Sequence, residues 1–319
     1  MKNMRFQKVF LVIFFTLIVS AYGCSAEKNQ ELLLATGGTA GTYFPLGGAI
    51  ANTWNQKVDG VNVTTQATGA SVENMRLLST KETELAISIN SIADDAYQGK
   101  GVFEAPITNI RAIGVLYPEV VQIVTQKNSG IKEIEDMNGK RVSLGPAGSG
   151  TAVAAEHILT SYGMAKGDIV HFQDTFAEAA DKLKDGNLDV GFSVLSVPAG
   201  SIEDISTATD VHLVSITGAG LDVLKAEYPF YTEYTIPANT YKGQTEDVQT
   251  ITMQAVLYVR KDIDEETVYE LTKALYENRG EIAQGYAIGE QISLERALDG
   301  VTVPLHPGAE KYFKEKGMR

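Results

Sequence analysis

Two glycine-rich segments carry the residue types best suited to gripping a small polar molecule. In the first half, a strand over Leu32–Ala35 runs into Gly37-Gly38-Thr39-Ala40-Gly41-Thr42-Tyr43, followed by an Ala- and Ile-rich helical stretch. In the second half, a strand over Val142–Leu144 runs into Gly145-Pro146-Ala147-Gly148-Ser149-Gly150-Thr151 and another Ala-rich helical stretch. A strand that turns through glycine into a helix leaves the first backbone N–H groups of that helix unpaired. With the positive end of the helix dipole behind them, such turns bind anionic groups. Glycine lets the backbone come close to a ligand, and Thr and Ser hydroxyls add donors and acceptors. Gly38, Thr39, Gly41 and Thr42 form one candidate grip, and Gly148, Ser149, Gly150 and Thr151 the other. Tyr43 could lay its ring and hydroxyl against the same ligand. These residues equally suit a plain strand-to-helix turn, with Ser149 or Thr151 as a helix cap.

Catalytic templates do not fit. Neither loop places a Lys before Ser or Thr after its last glycine, as a phosphate-cradling loop requires. The first loop lacks the dinucleotide-binding spacing and the acid that should follow it. Ala147 to Thr151 is not a nucleophile elbow. His157 and His171 fall outside the two-histidine zinc spacing, and four histidines leave little for a transition metal. Among 40 Asp and Glu, none stands out as a catalytic pair. The expectation is a binding protein without catalysis, metal or cofactor. An exported α/β enzyme, such as a transferase using the same anion loops, fits less well.

The elements that must position these loops alternate, short β-rich runs with helical stretches, which reads as an α/β fold. Strands are expected over Glu31–Ala35, Gly60–Gln66, Leu85–Ile89, Ile110–Leu116, Val120–Thr125, Arg141–Leu144, Val190–Phe192, Val211–Ile216 and Thr250–Val259. Helices are expected over Pro45–Gln56, Ser71–Ser79, Ile131–Met137, Thr151–Tyr162, Thr175–Asp185, Glu265–Asn278 and Leu294–Leu298. Each glycine loop and its helix are followed by a further helix and strand, Ser71–Ser88 in one half and Phe176–Ser193 in the other. The repeated order suggests two similar lobes facing a cleft. A chain of 319 residues is long enough for two domains. Its net charge of −13 argues against nucleic acid, whose phosphates demand a basic surface.

The N-terminus indicates where the protein works. Lys2, Arg5 and Lys8 precede an apolar stretch from Val9 to Val19, and small residues follow: a secretory signal pattern over residues 1–23. The apolar core is well short of the roughly 20 residues of a spanning helix. Cys24, the single cysteine, stands after Ala21-Tyr22-Gly23 where a bacterial lipoprotein signal places its lipid-accepting residue. The same pattern suits an ordinary signal peptide with an incidental cysteine. Residues 24–30 then form a polar tether. The expected location is a periplasm or outer cell surface, with the chain held to the membrane by an N-terminal lipid.

Several longer blocks occur together: Gly37–Tyr43 with Pro45–Asn55, Thr68–Leu78, Leu116–Val124, Gly139–Thr151, Phe176–Asp189, Glu227–Tyr231, Thr235–Thr250 and Ala297–Gly317. In this order they resemble the TAXI family, the solute-binding proteins of a subset of tripartite ATP-independent periplasmic (TRAP) transporters. The resemblance covers Glu31 to Gly317. It implies a two-lobed, venus-flytrap α/β fold with lobe I formed by residues 31–118 plus 255–319 and lobe II by 119–254. Hinges are expected near Leu116–Val121 and Thr250–Ala255. It implies a monomer that carries a small carboxylate or amino acid, such as glutamate, glutamine or a C4–C5 acid, to ion-driven TRAP membrane subunits. A protein of the same fold serving an ABC importer or a sensor is the alternative.

By matching position, the resemblance assigns the cleft to Gly41, Thr42, Tyr43, Thr68, Ala70, Ser71, Ser149, Gly150 and Thr151. Tyr117 is a further wall. Asn90 and Asp94 follow one strand end, and Phe192, Ser193 and Leu195 occupy the corresponding strand end of the second lobe. The chain departs from the family at Ile87-Ser88, where glycine-phenylalanine is common, and in the order of its second glycine loop, so the pocket is its own. Trp54 is expected in the core, and Arg76 at a surface or between lobes.

Overall fold

The computed structural model describes residues 29–318. The expected signal segment, Cys24 and most of the tether lie outside the described residues. The chain alternates strands and helices around one mixed sheet. The first lobe opens with β1 (Gln30–Ala35), α1 (Tyr43–Lys57), β2 (Val61–Gln66), α2 (Ser71–Thr80), β3 (Leu85–Ile89) and α3 (Asn90–Gln98). A long strand, β4 (Ile110–Gln126), leads into β5 (Arg141–Ser143), α4 (Gly150–Ser161), β6 (Val170–Phe172), α5 (Phe176–Lys184) and β7 (Val190–Leu195). Then come α6 (Gly200–Ala208), β8 (Val211–Val214), α7 (Gly218–Glu227) and β9 (Thr232–Ile236). A second long strand, β10 (Val248–Arg260), returns the chain to α8 (Glu265–Glu277), α9 (Arg279–Gly285) and α10 (Pro307–Glu315).

The strand order is β2-β1-β3-β10-β4-β7-β5-β6, with β8 added to β4 and β9 to β10. β1 lies parallel to β2 and β3, and β5 parallel to β6 and β7. β4 and β10 run antiparallel to each other, from Ile110 opposite Arg260 to Val120 opposite Thr252. Their outer ends serve different partners. β10 pairs with β3 through Ala255–Val259 and with β9 through Val248–Thr252, while β4 pairs with β7 through Val120–Thr125.

Two separate strands, Ile110–Leu116 and Val120–Thr125, are therefore one. Proline lacks a ladder donor and normally argues against a central strand, but Pro118 sits opposite Gln254 where the chain passes from one lobe to the other. Register breaks at Ala255/Val256 and Leu257/Tyr258 place extra residues in β4 beside that crossing, and such bulges bend a strand. The expected helix over Ile131–Met137 shrinks to a 3-10 turn, Ile134–Met137, and Leu294–Leu298 forms turns instead of a helix. β6, β9, α3, α6, α7, α9 and α10 were not legible: they are short, and α3 follows β3 without a loop. Among the described residues, no helix is long and apolar enough to cross a membrane.

Packing fixes the first glycine loop. α1 lies close on β1 because Gly47 has no side chain; a Cβ there would stand 2.7 Å from the Thr36 methyl. Trp54 on the same helix is fully buried, and its indole N–H donates to the Leu271 carbonyl at 2.9 Å. At the loop's far side, the buried Asn74 amide donates to the Thr36 and Ile87 carbonyls at 2.6 and 2.7 Å, joining the ends of β1 and β3. Its side-chain oxygen accepts from the Thr68 hydroxyl at 2.6 Å, and that hydroxyl oxygen accepts from the Ala70 N–H. This small network sets where α2 begins. Asn74→Ala leaves buried carbonyls unpaired, each worth about 1–3 kcal/mol. We expect urea unfolding to show a loss of about 2–3 kcal/mol for Asn74→Ala, with the denaturant slope unchanged.

Candidate functional site

The parallel strands of both lobes end at one place, and open α/β sheets bind ligands at their strand ends. β1 delivers Gly37, Gly38, Gly41, Thr42 and Tyr43; β3 delivers Ile89; the turn before α2 delivers Ala70 and Ser71. From the other lobe come Pro146, Ser149, Gly150 and Thr151 after β5, Phe176 at the start of α5, and Val194 and Leu195 at the end of β7. Glu119, on the crossing strand, forms part of the wall. Together they enclose a narrow space of about 30 Å³ between the lobes.

The lobes also bond to each other directly. The Thr42 and Ser196 hydroxyls lie 3.0 Å apart, and the Ser196 N–H donates to Thr42 Oγ1 at 3.1 Å. The Gly148 carbonyl accepts from the first N–H groups of α2, Val72 at 3.0 Å and Glu73 at 3.2 Å. Gly148 reaches that position with a φ of +75°, open to glycine at little cost. Gly69 is equally constrained, since a Cβ there would come within 2.5 Å of the Ala147 carbonyl oxygen. The start of α2 is thus engaged by protein. At α4 the Ser149 hydroxyl caps the helix by accepting from the Ala152 N–H at 3.1 Å, and it donates to the Pro146 carbonyl at 2.6 Å. Ala70, just ahead of α2, holds φ 78° and ψ −142°, a region sparsely populated outside glycine, and strain of this kind collects at functional sites.

Glu119 sets the electrostatics. Its side chain is only 2% exposed. The Tyr43 hydroxyl donates to Oε2 at 2.7 Å and the Tyr117 hydroxyl to Oε1 at 3.2 Å. Burial disfavours the charged form and pushes its pKa up to about 8, against the lowering effect of the two phenol hydrogen bonds. Burial and the neighbouring Glu119 also raise Tyr43 and Tyr117 far above the ordinary phenol range. Among the described residues that line the cavity there is no Lys, Arg or His.

The expected site residues divide clearly. Gly41, Thr42, Tyr43, Ala70, Ser71, Ser149, Gly150, Thr151 and Leu195 meet at the cavity. Thr68 lines a neighbouring opening and supports the turn before α2. Tyr117 stands behind the wall, edge-on to the Tyr43 ring. Asn90 points elsewhere, donating to the Gly300 carbonyl and accepting from the Gln254 N–H. Asp94 accepts from Gln98 on its own helix. Phe192 is buried in the core, and Ser193 is half-buried in the ladder opposite Gln122; Val194 takes the expected place. Arg76 stays at the surface, donating to the Val102 carbonyl.

Sequence reasoning missed Glu119, Phe176, Ile89, Pro146 and Val194. A signal for Glu119 was present: it is the single acid in the apolar run Leu116–Val124, and charged residues are almost never fully buried without a partner.

Comparison with known proteins agrees with this arrangement. The NMT1-like family is matched over residues 34–317. Similar solved structures include the periplasmic aliphatic sulphonate binding protein SsuA from Escherichia coli, at 15% identity and TM-score 0.50, covering 90% of this chain and 84% of that one. A putative L-cystine ABC transporter protein from Listeria monocytogenes is similar at 13% identity and TM-score 0.52, covering 84% and 98%. A structure from Streptococcus mutans, described for glutathione import via GshT and the cystine ABC importer TcyBC, is similar at 12% identity and TM-score 0.53, covering 83% and 97%. The chain belongs to the NMT1-like family and has the two-lobed α/β fold of periplasmic solute-binding proteins.

Proposed function

We propose that this protein is an extracytoplasmic receptor that closes two lobes on a small polar solute and delivers it to a membrane permease. The observation that carries the reading is the cavity at the strand ends, walled by both lobes and bearing the hydroxyls of Thr42, Tyr43, Ser71, Ser149 and Thr151. Here the lobes lie closed on each other with room for little more than a water, so they part to admit a solute. A carboxylate of the solute would meet the Ser71 hydroxyl and the start of α4, whose first residues, Gly150 and Thr151, line the cavity.

In this reading residues 31–118 with 255–319 move as one lobe and 119–254 as the other, bending where β4 and β10 cross. The signal segment exports the chain, and a lipid on Cys24 holds the monomer at the membrane. The sequence blocks favour a TRAP permease driven by an ion gradient. A second reading, delivery to an ABC importer, draws on the ABC transport named in the descriptions of two similar structures. Uptake by membrane vesicles carrying the cognate permease separates them. A TRAP system stops when the sodium gradient is collapsed, and an ABC system stops when ATP is removed.

Two substitutions test the cleft. Thr42→Ala removes both contacts with Ser196 across the lobes and should weaken solute binding about tenfold, equivalent to about 1.4 kcal/mol, with the thermal midpoint nearly unchanged. Ser149→Ala should weaken binding by a similar factor and also cost about 1 kcal/mol of stability through the lost helix cap. Titration calorimetry and thermal unfolding of the two variants are the checks. Unchanged affinity in both would overturn the cleft assignment.

A further inference from the structure

Glu119 is a buried acid without a basic neighbour. The side chains facing its carboxyl are Tyr43 from α1 and Tyr117 from its own strand, with Tyr258 of β10 close enough to influence Tyr43. All three are neutral phenols, and both contacts are donated hydrogen bonds. A carboxylate can accept about four, so Tyr43 and Tyr117 leave capacity unused on the group that faces the cavity. The main chain at Glu119 is fixed independently, because the Thr252 hydroxyl donates to its carbonyl at 2.7 Å. Holding that strand in place therefore needs no carboxyl, whereas a cation in the cavity would have one partner here.

We propose that Glu119 is the seat for a positively charged group of the solute, so that the cleft selects α-amino acids or similar zwitterions over carboxylates that lack an amine. The inference rests on the cavity being the solute site. The solute's ammonium lies against Glu119 and the Tyr43 hydroxyl, and its carboxylate lies toward Ser71 and the start of α4. Charge then balances inside the site, whereas an acid without the amine meets a neutral Glu119 carboxyl and gains no ion pair from it. Burial keeps the free carboxyl mostly protonated at pH 7, since its pKa is pushed up to about 8. An arriving ammonium favours the carboxylate, so the proton leaves Glu119 for solvent. Tyr43 and Tyr117 keep theirs, because both phenols are raised in the same site.

The test is titration calorimetry of the refolded protein, stripped of co-purified solute by denaturation. The probes are the twenty common amino acids and, for each, the acid lacking the α-amine, such as glutarate for L-glutamate. Saturable binding of an amino acid is expected, with its deaminated analogue at least thirtyfold weaker. At pH 7, repeating the titration in buffers of different ionisation enthalpy should show close to one proton released. Affinity should fall about tenfold per pH unit below pH 8 and level off above it, because one site must ionise to bind. Glu119→Gln should erase the proton release and most of the preference for the amine, chiefly by weakening the amino acid. Equal or tighter binding of the deaminated acid by the wild type, or proton release that persists in Glu119→Gln, overturns the role of Glu119 and leaves the receptor reading standing. If neither probe set saturates the protein, the cleft assignment falls and this inference with it.

Discussion

The antiparallel pairing of β4 with β10 is the set of contacts on which both lobes depend. Each strand serves one lobe at one end and the other lobe at the other, so neither lobe closes its sheet without a segment that also belongs to its neighbour. Long-range ladders of this kind must form between segments more than a hundred residues apart, a slow step in folding. Pro118 and the register breaks lie at the crossing itself, between the ladders that belong to each lobe. The Thr252 hydroxyl on the Glu119 carbonyl and the Thr250 hydroxyl on the Val121 carbonyl tie the two strands together there.

Placing a carboxyl on that crossing has an energetic consequence. A buried acid with no cation stays mostly neutral at pH 7, and neutrality suits a lining it shares with Ile89, Phe176, Val194 and Leu195. Tyr43 is the link between this acid and the glycine loop, because it begins α1 and reaches Glu119 through its hydroxyl. A single side chain thus joins the first glycine loop to the strand that crosses between the lobes. Any change at Glu119 reaches the loop through one hydrogen bond of 2.7 Å.

How much of this could be read from the sequence depends on which forces act locally. The glycine loops were legible because their chemistry is a property of short segments: glycine for close approach, a hydroxyl for the cap, a helix behind. Gly38, Gly41, Thr42, Tyr43, Ser149, Gly150 and Thr151 meet at the cavity for that reason. Asn90, Phe192 and Ser193 were placed by analogy with strand ends. They miss because Phe192 and Ser193 lie further back in β7, opposite Ile123 and Gln122, while the cavity is lined by Val194 and Leu195 at the strand end. Asn90 opens α3 and bonds to Gly300 and Gln254. Pro118 misled through a local rule overridden by tertiary pairing. Short helices such as α6 and α9 escaped because packing, rather than pattern, stabilises them.

The direct bonds between lobes bear on how such a receptor discriminates. Thr42 with Ser196, and the Gly148 carbonyl with the start of α2, close the cleft through protein groups alone. Each is worth on the order of 1 kcal/mol net, so together they approach the few kcal/mol that separate open and closed states in a two-state protein. A solute then needs to supply only a modest difference in contacts to shift the population, and weakly held solutes gain from the same closure. Selectivity must therefore come from groups that penalise the wrong solute once the lobes have met. In this cleft the hydroxyls and backbone N–H groups accept many partners, whereas a buried carboxyl tolerates few. On the proposed reading, affinity falls to the loops that touch across the lobes and selectivity to Glu119 on the strand that crosses between them.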